Sequence, residues 1–255
     1  MRTLTIADPA LLGAQRVPPL LSGTLANWWA DDLTLAGGDP VSSWVDRANG
    51  VTLANTSTAR PTFRAAHIGG RPAVDFDGSN DVLSVANTLT SGSSGCVTAV
   101  VLIDTATGGR GIWSSADEAS GSYYITGACS LSSADGKAAI EAANGSLLCQ
   151  VRGDTSLSTA TPYLLEWSTS GSTYTFRVNG VTQTLTTIVG LNAGQWFDDI
   201  SNRDSFGVGA LKFNSTATAF FDGAIAHLQV LSTPMSSGDR AVFHAFVSAR
   251  YGLVL

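Results

Sequence analysis

One segment, residues 174–185, constrains the fold more than any other part of the sequence. It contains two alternating runs, YTFRV and VTQTL, separated by the pair Asn179–Gly180. Asn-Gly is favoured in a type I′ turn because both of its positions take positive φ. The segment therefore predicts an antiparallel β-hairpin. Alternation puts three apolar residues of the first run on one face: Tyr174, Phe176 and Val178. Their expected cross-strand partners are, in that order, Leu185, Gln183 and Val181.

Short strands joined by polar turns are predicted along most of the chain from Thr24 onward. Val97–Ile103 is a continuous apolar run, which is typical of a strand buried on both faces. Ala73–Phe76 and Val82–Val85 flank a turn at Asp77–Asn80. The remaining strand candidates are Gly111–Trp113, Tyr123–Thr126, Ala138–Glu141, Leu147–Val151, Tyr163–Trp167 and Phe220–Leu231.

One helix is predicted near the end of the chain. Ser236 and Asp239 form an S-x-x-D cap at its start, and Gly252 is placed to end it. Apolar residues between them recur at helical spacing: Val242, Phe243, Phe246, Val247 and Tyr251. Many strands and a single helix predict an all-β fold for residues 24–255, a two-sheet antiparallel jelly-roll sandwich with one C-terminal α-helix.

Composition excludes several classes of protein. Hydrophobic residues make up 44% of the 255 residues and charged residues 13%, which excludes charge-driven disorder. The net charge is −6 and no basic patch is visible, so we expect no nucleic-acid partner. No apolar run is long enough to span a bilayer, so we expect no membrane insertion.

The first 23 residues differ from the rest, since Pro9, Pro18 and Pro19 interrupt any helix or central strand. We interpret residues 1–23 as an extended arm that packs on a neighbouring subunit of a larger assembly. An arm folded onto its own domain is the alternative. The apolar residues that would be buried in such a contact are Leu11, Leu12, Val17, Leu20 and Leu21.

Two further features bear on where the protein works. The N-terminal stretch lacks the uninterrupted apolar core of a signal peptide, so we expect synthesis in the cytoplasm without secretion by a cleaved signal. Three widely spaced cysteines, Cys96, Cys129 and Cys149, form neither a disulfide framework nor a zinc motif. We expect them to be reduced and buried, although one disulfide remains open as an alternative.

Three stretches of the sequence carry a family pattern. The first, Trp28 to Gly50, contains WWADDL and VSSWVDRANG, and the second, Arg71 to Val85, reads RPAVDFDGSNDVLSV. The third runs from Phe220 to Leu253 and contains FFDGAIAHLQVL followed by the helix. In this order they resemble the concanavalin A-like lectin/glucanase superfamily, in its laminin-G-like bacterial and phage versions.

This resemblance implies a two-sheet antiparallel jelly roll that commonly binds glycans and that recurs in phage tail and head-surface proteins. The family frequently has a glutamate after Ile-Ala in its closing strand, where this chain has His227. No site residue is therefore carried over to that position. Trp28, Trp29 and Trp44 lie within the family pattern, and we expect them in the core.

The sequence lacks the usual catalytic carboxylate pattern. Glycosidases of this fold carry paired carboxylates as E-x-D-x-E, and retaining hydrolysis needs two carboxyl groups about 5–5.5 Å apart. The chain has three glutamates, Glu118, Glu141 and Glu166, and none lies in such a pattern. Asp75 and Asp77 enter a turn, where we expect them to cap backbone groups. The sequence contains no G-x-S-x-G nucleophile motif with which a histidine could act. The chain has three histidines: His67, His227 and His244. We therefore expect a protein that is not an enzyme.

Two loops are rich in acidic residues, which is the chemistry that calcium prefers. The first is Asp77–Asp81, and the second contains Asp198, Asp199, Asn202 and Asp204. Neither matches a spaced calcium-loop pattern. We therefore interpret them as turn acids and expect no cofactor and no metal, with calcium as the alternative.

Two places combine aromatic and polar side chains in a way that suits sugars. The loop GQWFDDISNRD surrounds an aromatic residue with polar ones: Trp196, Gln195, Asp198, Asp199, Asn202 and Arg203. The pair Tyr123–Tyr124 is the second place. Structural packing is the alternative role for each aromatic residue.

The sequence thus supports two functional hypotheses. The first is a non-enzymatic structural or adhesion component of a phage virion, on the tail or the head surface, with a lectin-like and glycan-binding jelly roll. Its partners would be other virion proteins, further copies of itself and a glycan of the host surface. The second is a glycan-active enzyme or a free bacterial carbohydrate-binding module.

Overall fold

Two antiparallel sheets lie face to face, as the strand pattern predicts. The computed structural model describes residues 17–86, 89, 92–131, 136–213 and 215–255. All nineteen strands of the described residues pair antiparallel, and one α-helix follows the last strand. The predicted all-β sandwich with one C-terminal helix is therefore confirmed.

The first sheet has eight strands. Its central strand β19 pairs on one side with β7, and on the other side with β5 along its first half and β1 along its second half. The strands are β1 Thr24–Trp29, β4 Thr62–Ile68, β5 Arg71–Asp77, β7 Gly95–Ile103, β12 Thr161–Thr169, β13 Tyr174–Val178, β14 Val181–Thr182 and β19 Asp222–Leu231.

The second sheet has nine strands, in the spatial order β15, β11, β10, β9, β8, β16, β6, β3, β2. Their bounds are β2 Ser43–Val45, β3 Thr52–Ala54, β6 Leu83–Val85, β8 Arg110–Ala116, β9 Tyr123–Ser130, β10 Lys137–Asn144, β11 Leu147–Ser156, β15 Thr186–Val189 and β16 Ser205–Val208. A separate hairpin is formed by β17 Leu211–Phe213 and β18 Thr216–Thr218.

Aromatic rings fill the space between the sheets. The ring of Trp113 on β8 packs edge-on against Trp167 of the opposite sheet at 6.1 Å and against Phe197 at 5.8 Å. Gly127 leaves room for it, since a Cβ there would lie 2.1 Å from Trp113 Nε1. Trp28 and Trp44 are fully buried between the sheets, and Trp29 is buried under the helix, so all three belong to the core as predicted.

The predicted helix forms as α1, Ser237–Tyr251. The Ser236 side chain accepts a hydrogen bond from the Asp239 backbone N–H, and Gly252 ends the helix at φ 72°. The helix covers the outer face of the first sheet with four buried residues: Phe243, Phe246, Val247 and Tyr251. Val242, which shares the helical spacing, points away from the sheet and is 45% exposed. Because sheet and helix enclose β7 from both sides, Val97–Ile103 is buried on both faces, as predicted.

The hairpin at Asn179–Gly180 is confirmed, with φ of 47° and 76° at the two turn residues. Val178 pairs with Val181, and the Gln183 N–H donates to the Phe176 carbonyl over 2.9 Å. The pairing of Leu185 with Tyr174 is wrong, since β14 ends at Thr182. The Tyr174 N–H instead donates to Asn192 Oδ1.

The N-terminal arm separates into two parts. Leu21 is 5% exposed and packs in the cluster beneath the helix, and the Ser232 N–H donates to the Gly23 carbonyl. The assignment of Leu21 to an arm that leaves the domain is therefore wrong, because this residue is part of its own core. Val17 and Leu20 are 49% and 73% exposed, whereas Leu11 and Leu12 lie outside the described residues.

All three cysteines are buried and unbonded to one another. Burial raises the pKa of the Cys129 thiol to about 12, which makes it a poor nucleophile at neutral pH. In the part of the chain that the structure describes, no helix has the length and apolar character needed to cross a bilayer.

Candidate functional site

The second sheet has an outer face that bears a groove of about 360 Å³. Alternation along β9 sends Ile125 and Cys129 into the core and Thr126, Ala128 and Ser130 to this outer face. Glu141 of β10 lies opposite Thr126 on the same face. The groove therefore has a floor of small and polar side chains on rigid strands.

The hairpin β17–β18 forms one wall of the groove, through Leu211 and the following Ala219. This wall stands close to β8 because residue 111 is a glycine. A Cβ at Gly111 would lie 2.9 Å from the Leu211 nitrogen, and the Gly111 N–H donates to the Ala219 carbonyl over 2.7 Å. A larger residue at position 111 would push the wall outward.

Glu141 is held in place by two donors. The Tyr124 hydroxyl donates to Oε1, and Gln150 Nε2 donates to Oε2 over 2.5 Å. Burial and the neighbouring Glu141 carboxylate raise the pKa of Tyr124, so its hydroxyl keeps its proton at physiological pH. Each carboxylate oxygen retains a further lone pair for a ligand hydroxyl.

Arg110 lies at the other side of the groove and is fixed by backbone carbonyls. Its Nε donates to Thr107 over 3.0 Å, and its Nη1 donates to Gly78 and Phe220 over 3.2 and 2.9 Å. The guanidinium therefore has a set position before any ligand arrives. Preorganisation of this kind lowers the entropic cost of binding.

The wall is pinned to the sheet by an aromatic stack and an ion pair. Phe213 stacks on Tyr124 with ring centroids 5.2 Å apart, and Lys212 Nζ lies 2.6 Å from Glu118 Oε1. Tyr124 thus joins the wall to Glu141. It positions the groove and is not among the residues that line it.

The loop around Trp196 does not form a sugar platform. Trp196 is fully buried, stacked on Phe197 at 5.0 Å and edge-on to Trp113. The prediction that its ring faces a glycan is wrong, because Gly95 opens a space for it in the core. A Cβ at Gly95 would lie 2.1 Å from Trp196 Nε1.

The polar residues of this loop serve its own conformation. Arg203 is 9% exposed, lies over the Phe197 ring at 4.8 Å and donates from Nε to the Phe197 carbonyl over 2.5 Å. Burial lowers its pKa to about 10. Asp198 accepts from the Gly92 N–H, and Asp199 accepts from the Trp196 N–H and the Ser93 hydroxyl. Arg203 is therefore wrongly assigned as a ligand-binding residue.

Four of the predicted binding residues of that loop stay accessible, in whole or in part: Gln195, Asp198, Asp199 and Asn202. Asp198 and Asn202 are exposed, and Gln195 is half-buried with its carbonyl accepting from the Tyr174 hydroxyl over 2.5 Å. A glycan role for these residues stays a prediction. They lie outside the groove.

Tyr123 and Tyr124 point to opposite faces of the second sheet. Tyr123 packs against the core between the sheets, whereas Tyr124 contacts Phe213 and Glu141 on the outer face. Adjacent residues of a regularly pleated strand point to opposite faces. The pair therefore cannot act together as one aromatic surface.

Glu166 and Glu141 lie on different sheets, and two of the histidines are engaged with buried side chains. Glu166 is 2% exposed under the helix, where His244 Nε2 lies 2.7 Å away and Arg240 Nε 3.2 Å away. His227 is fully buried, with Nε2 2.7 Å from Asn27 Oδ1. Within the residues described, the groove is lined by one carboxylate, that of Glu141.

In the acid-rich loops, the carboxylates accept hydrogen bonds from backbone N–H groups. Asp77 Oδ1 accepts from the N–H groups of Ser79 and Asn80, which is the turn-capping role expected for it. Asp81 Oδ2 accepts from the Asp77 N–H, and Asp204 Oδ1 accepts from the Glu118 N–H. Over the ranges that the structure describes, no three potential metal ligands cluster.

Sequence reasoning missed Arg110, Gln150 and the groove-lining role of Glu141. In the sequence, Glu141 stands out only as an acid without a catalytic partner. Its position across from Thr126 and Gln150 depends on the register of the strands. The available signal was the alternation of small and polar residues in Thr126, Ala128 and Ser130.

Comparison with solved structures identifies similar folds in carbohydrate-binding domains. Domain 4 of a GH43 extracellular arabinanase from Geobacillus stearothermophilus, solved with arabinotriose, has a TM-score of 0.61 at 14% identity, covering 87% of this chain and 97% of that one. The CBM40 of the Ruminococcus gnavus IT-sialidase, bound to α2,3-sialyllactose, has a TM-score of 0.53 at 13% identity, covering 86% and 98%. These likenesses show a shared sandwich fold.

A mutant NanB sialidase from Streptococcus pneumoniae matches with a TM-score of 0.51 at 15% identity, over 66% of this chain. The chain spans about a quarter of that sialidase, 27% of its length. No protein-family model and no curated protein sequence matches the chain.

Proposed function

We propose that this protein is a non-enzymatic carbohydrate-binding sandwich and that the groove on the outer face of its second sheet holds the glycan. The observation that carries the proposal is the groove itself, a preformed cavity of about 360 Å³ on rigid strands. Ligand sites in proteins are concave and lined by apolar surface with a few fixed polar groups. Ala128 and Leu131 supply the apolar part here, and Glu141 supplies a fixed polar group.

The chemistry of sugars matches this lining. A sugar ring presents C–H groups that pack on apolar surface and hydroxyl groups that donate and accept hydrogen bonds. The carbohydrate-binding neighbours share the sandwich fold, and one of them was solved with arabinotriose. Fold likeness supports the class of ligand, and the groove supports its place on this chain.

A filled groove tests the proposal. Ala128→Trp places an indole where the glycan would lie, and we expect it to abolish binding to every glycan that the wild-type protein retains on an array. Ala66→Trp is the matched control, since Ala66 is exposed on β4 of the other sheet. Circular dichroism melting confirms that both variants fold. Unchanged glycan binding by Ala128→Trp would contradict the proposed site.

The proposal includes the absence of hydrolysis. Retaining glycosidases place two carboxyl groups about 5–5.5 Å apart and inverting ones about 6.5–9.5 Å apart. In the described part of the chain Glu141 has no second groove-lining acid to work with, and both of its oxygens already accept hydrogen bonds. A glycan-active enzyme or a free bacterial binding module is the competing function, and saturable cleavage that Glu141→Gln removes would establish the enzyme.

We further propose that the sandwich is displayed on a phage particle, where it binds a glycan of the host surface. Residues before Leu21 would attach it to other virion proteins or to further copies of this chain. Val17 and Leu20 support this, being 49% and 73% exposed beside the buried Pro18 and Leu21. Exposed apolar residues in an extended segment gain free energy when a neighbour covers them.

Truncation separates the two parts of this proposal. Removing residues 1–17 leaves the buried Pro18 and Leu21 in place, so we expect a folded domain that still binds glycan and no longer assembles into particles. Electron microscopy of particles, together with analytical ultracentrifugation of the purified chain, gives the measurement. Normal assembly of the truncated chain would place the attachment elsewhere.

A further inference from the structure

The groove presents hydrogen-bond acceptors more than donors. Each oxygen of Glu141 accepts one hydrogen bond within the protein and keeps a second lone pair for a ligand. The Thr126 hydroxyl donates its proton to the Trp113 carbonyl over 2.8 Å. A hydroxyl group has one proton, so Thr126 keeps only acceptor capacity for a ligand. A ligand that fits this lining must bring its own donors.

Arg110, the cation beside the groove, cannot bind a carboxylate through two parallel hydrogen bonds. Such binding uses two N–H groups along one edge of the guanidinium, either Nε with Nη2 or Nη1 with Nη2. Nε is bonded to Thr107, and the two N–H groups of Nη1 have Gly78 and Phe220 as acceptors. On each edge, one nitrogen already donates to a backbone carbonyl. Nη2 is therefore the nitrogen left for a ligand, and it can bond to a single oxygen.

The carboxylate of Glu141 adds a charge effect. The Tyr124 hydroxyl and the Gln150 amide both donate to this carboxylate and fix its position in the groove. A second carboxylate on a ligand would lie beside this charge with no bidentate arginine to compensate it. Like charges in a partly desolvated groove repel.

We propose that the groove selects neutral oligosaccharides over acidic ones and that Glu141 determines this selection. The proposal rests on the proposed function and names its ligand class. Sugar hydroxyls supply the donors that Glu141 and Thr126 need, whereas a sialic or uronic acid carboxylate only accepts. Tyr124 is a positioning residue in this account, since it orients the Glu141 carboxylate.

Isothermal titration of the full chain tests the selection with four probes: arabinotriose, lactose, 3′-sialyllactose and trigalacturonate. We expect the neutral probes to bind at least about tenfold more tightly than the acidic ones. Glu141→Gln keeps the shape and removes the charge, so we expect about a tenfold loss for neutral probes and a smaller ratio between the two classes. Tyr124→Phe keeps the Glu141 charge, so it should weaken binding and leave that ratio unchanged.

Two different failures are distinguishable. If acidic probes bind as tightly as neutral ones and Ala128→Trp abolishes that binding, the site stands and the selection is wrong. The same conclusion follows if Glu141→Gln leaves the ratio between the classes unchanged. If no probe of either class binds, or if Ala128→Trp leaves binding intact, the proposed function fails and the selection with it.

Discussion

His227 lies on β19 beneath the helix, with its ring 5.5 Å from that of Phe243 and no atom exposed to water. Nε2 faces Asn27 Oδ1 over 2.7 Å, whereas Nδ1 has no hydrogen-bond partner among the described residues. Burial lowers the pKa of His227 to about 3, because a charged ring in this site would lack solvation. His227 is thus a neutral core residue.

This burial predicts a pH-dependent stability. The folded state keeps His227 neutral down to about pH 3, whereas the unfolded chain binds a proton below its ordinary value of about 6.5. Stability is therefore full above about pH 6.5 and is lost as the pH falls, at about 1.4 kcal/mol per pH unit. Between pH 6.5 and 4.5 we expect the wild type to lose about 2–3 kcal/mol more than His227→Gln, measured by urea unfolding. Equal losses in both proteins would show that His227 titrates normally in the fold.

At the scale of elements, local patterns predicted the strands and the helix better than their partners. The Asn179–Gly180 hairpin and the Ser236 cap depend on contacts within a few residues, and both form. The turn at Asp77–Asn80 also forms, yet the strands that flank it join different sheets, since β5 pairs with β4 and β19 whereas β6 pairs with β3 and β16. No local pattern distinguishes a turn between sheets from a hairpin turn.

The helix predicts a second stability effect. Phe246 is 1% exposed and meets the Trp29 ring edge-on at 6.4 Å, so Phe246→Ala leaves a cavity between the helix and the first sheet. We expect a loss of about 3–5 kcal/mol in the free energy of unfolding. Val242→Ala on the 45% exposed face of the same helix is the control and should cost under about 0.5 kcal/mol. A loss below about 1 kcal/mol for Phe246→Ala would contradict the packing of the helix.

At the scale of the whole molecule, the two sheets have different outer faces. The helix covers the first sheet, whereas the second sheet keeps a groove under the β17–β18 hairpin. The sequence predicted the sandwich, because alternation and turns are local signals. It did not predict the groove, because Arg110, Thr126 and Glu141 meet only through the register of β8, β9 and β10. The prediction that Trp196 faces a glycan was wrong for a related reason, since the burial of Trp196 depends on Gly95, which is distant in the sequence.

Backbone amide chemical-shift mapping tests the central claim most directly, that a glycan binds in the groove of the second sheet. The isotopically labelled chain is titrated with the neutral oligosaccharide that it binds most tightly. The account predicts saturable shifts concentrated at residues 109–111, 126–131 and 141, with residues 195–204 and the helix unchanged. Shifts centred on residues 195–204 would show that the glycan binds at the Trp196 loop, which would contradict the account.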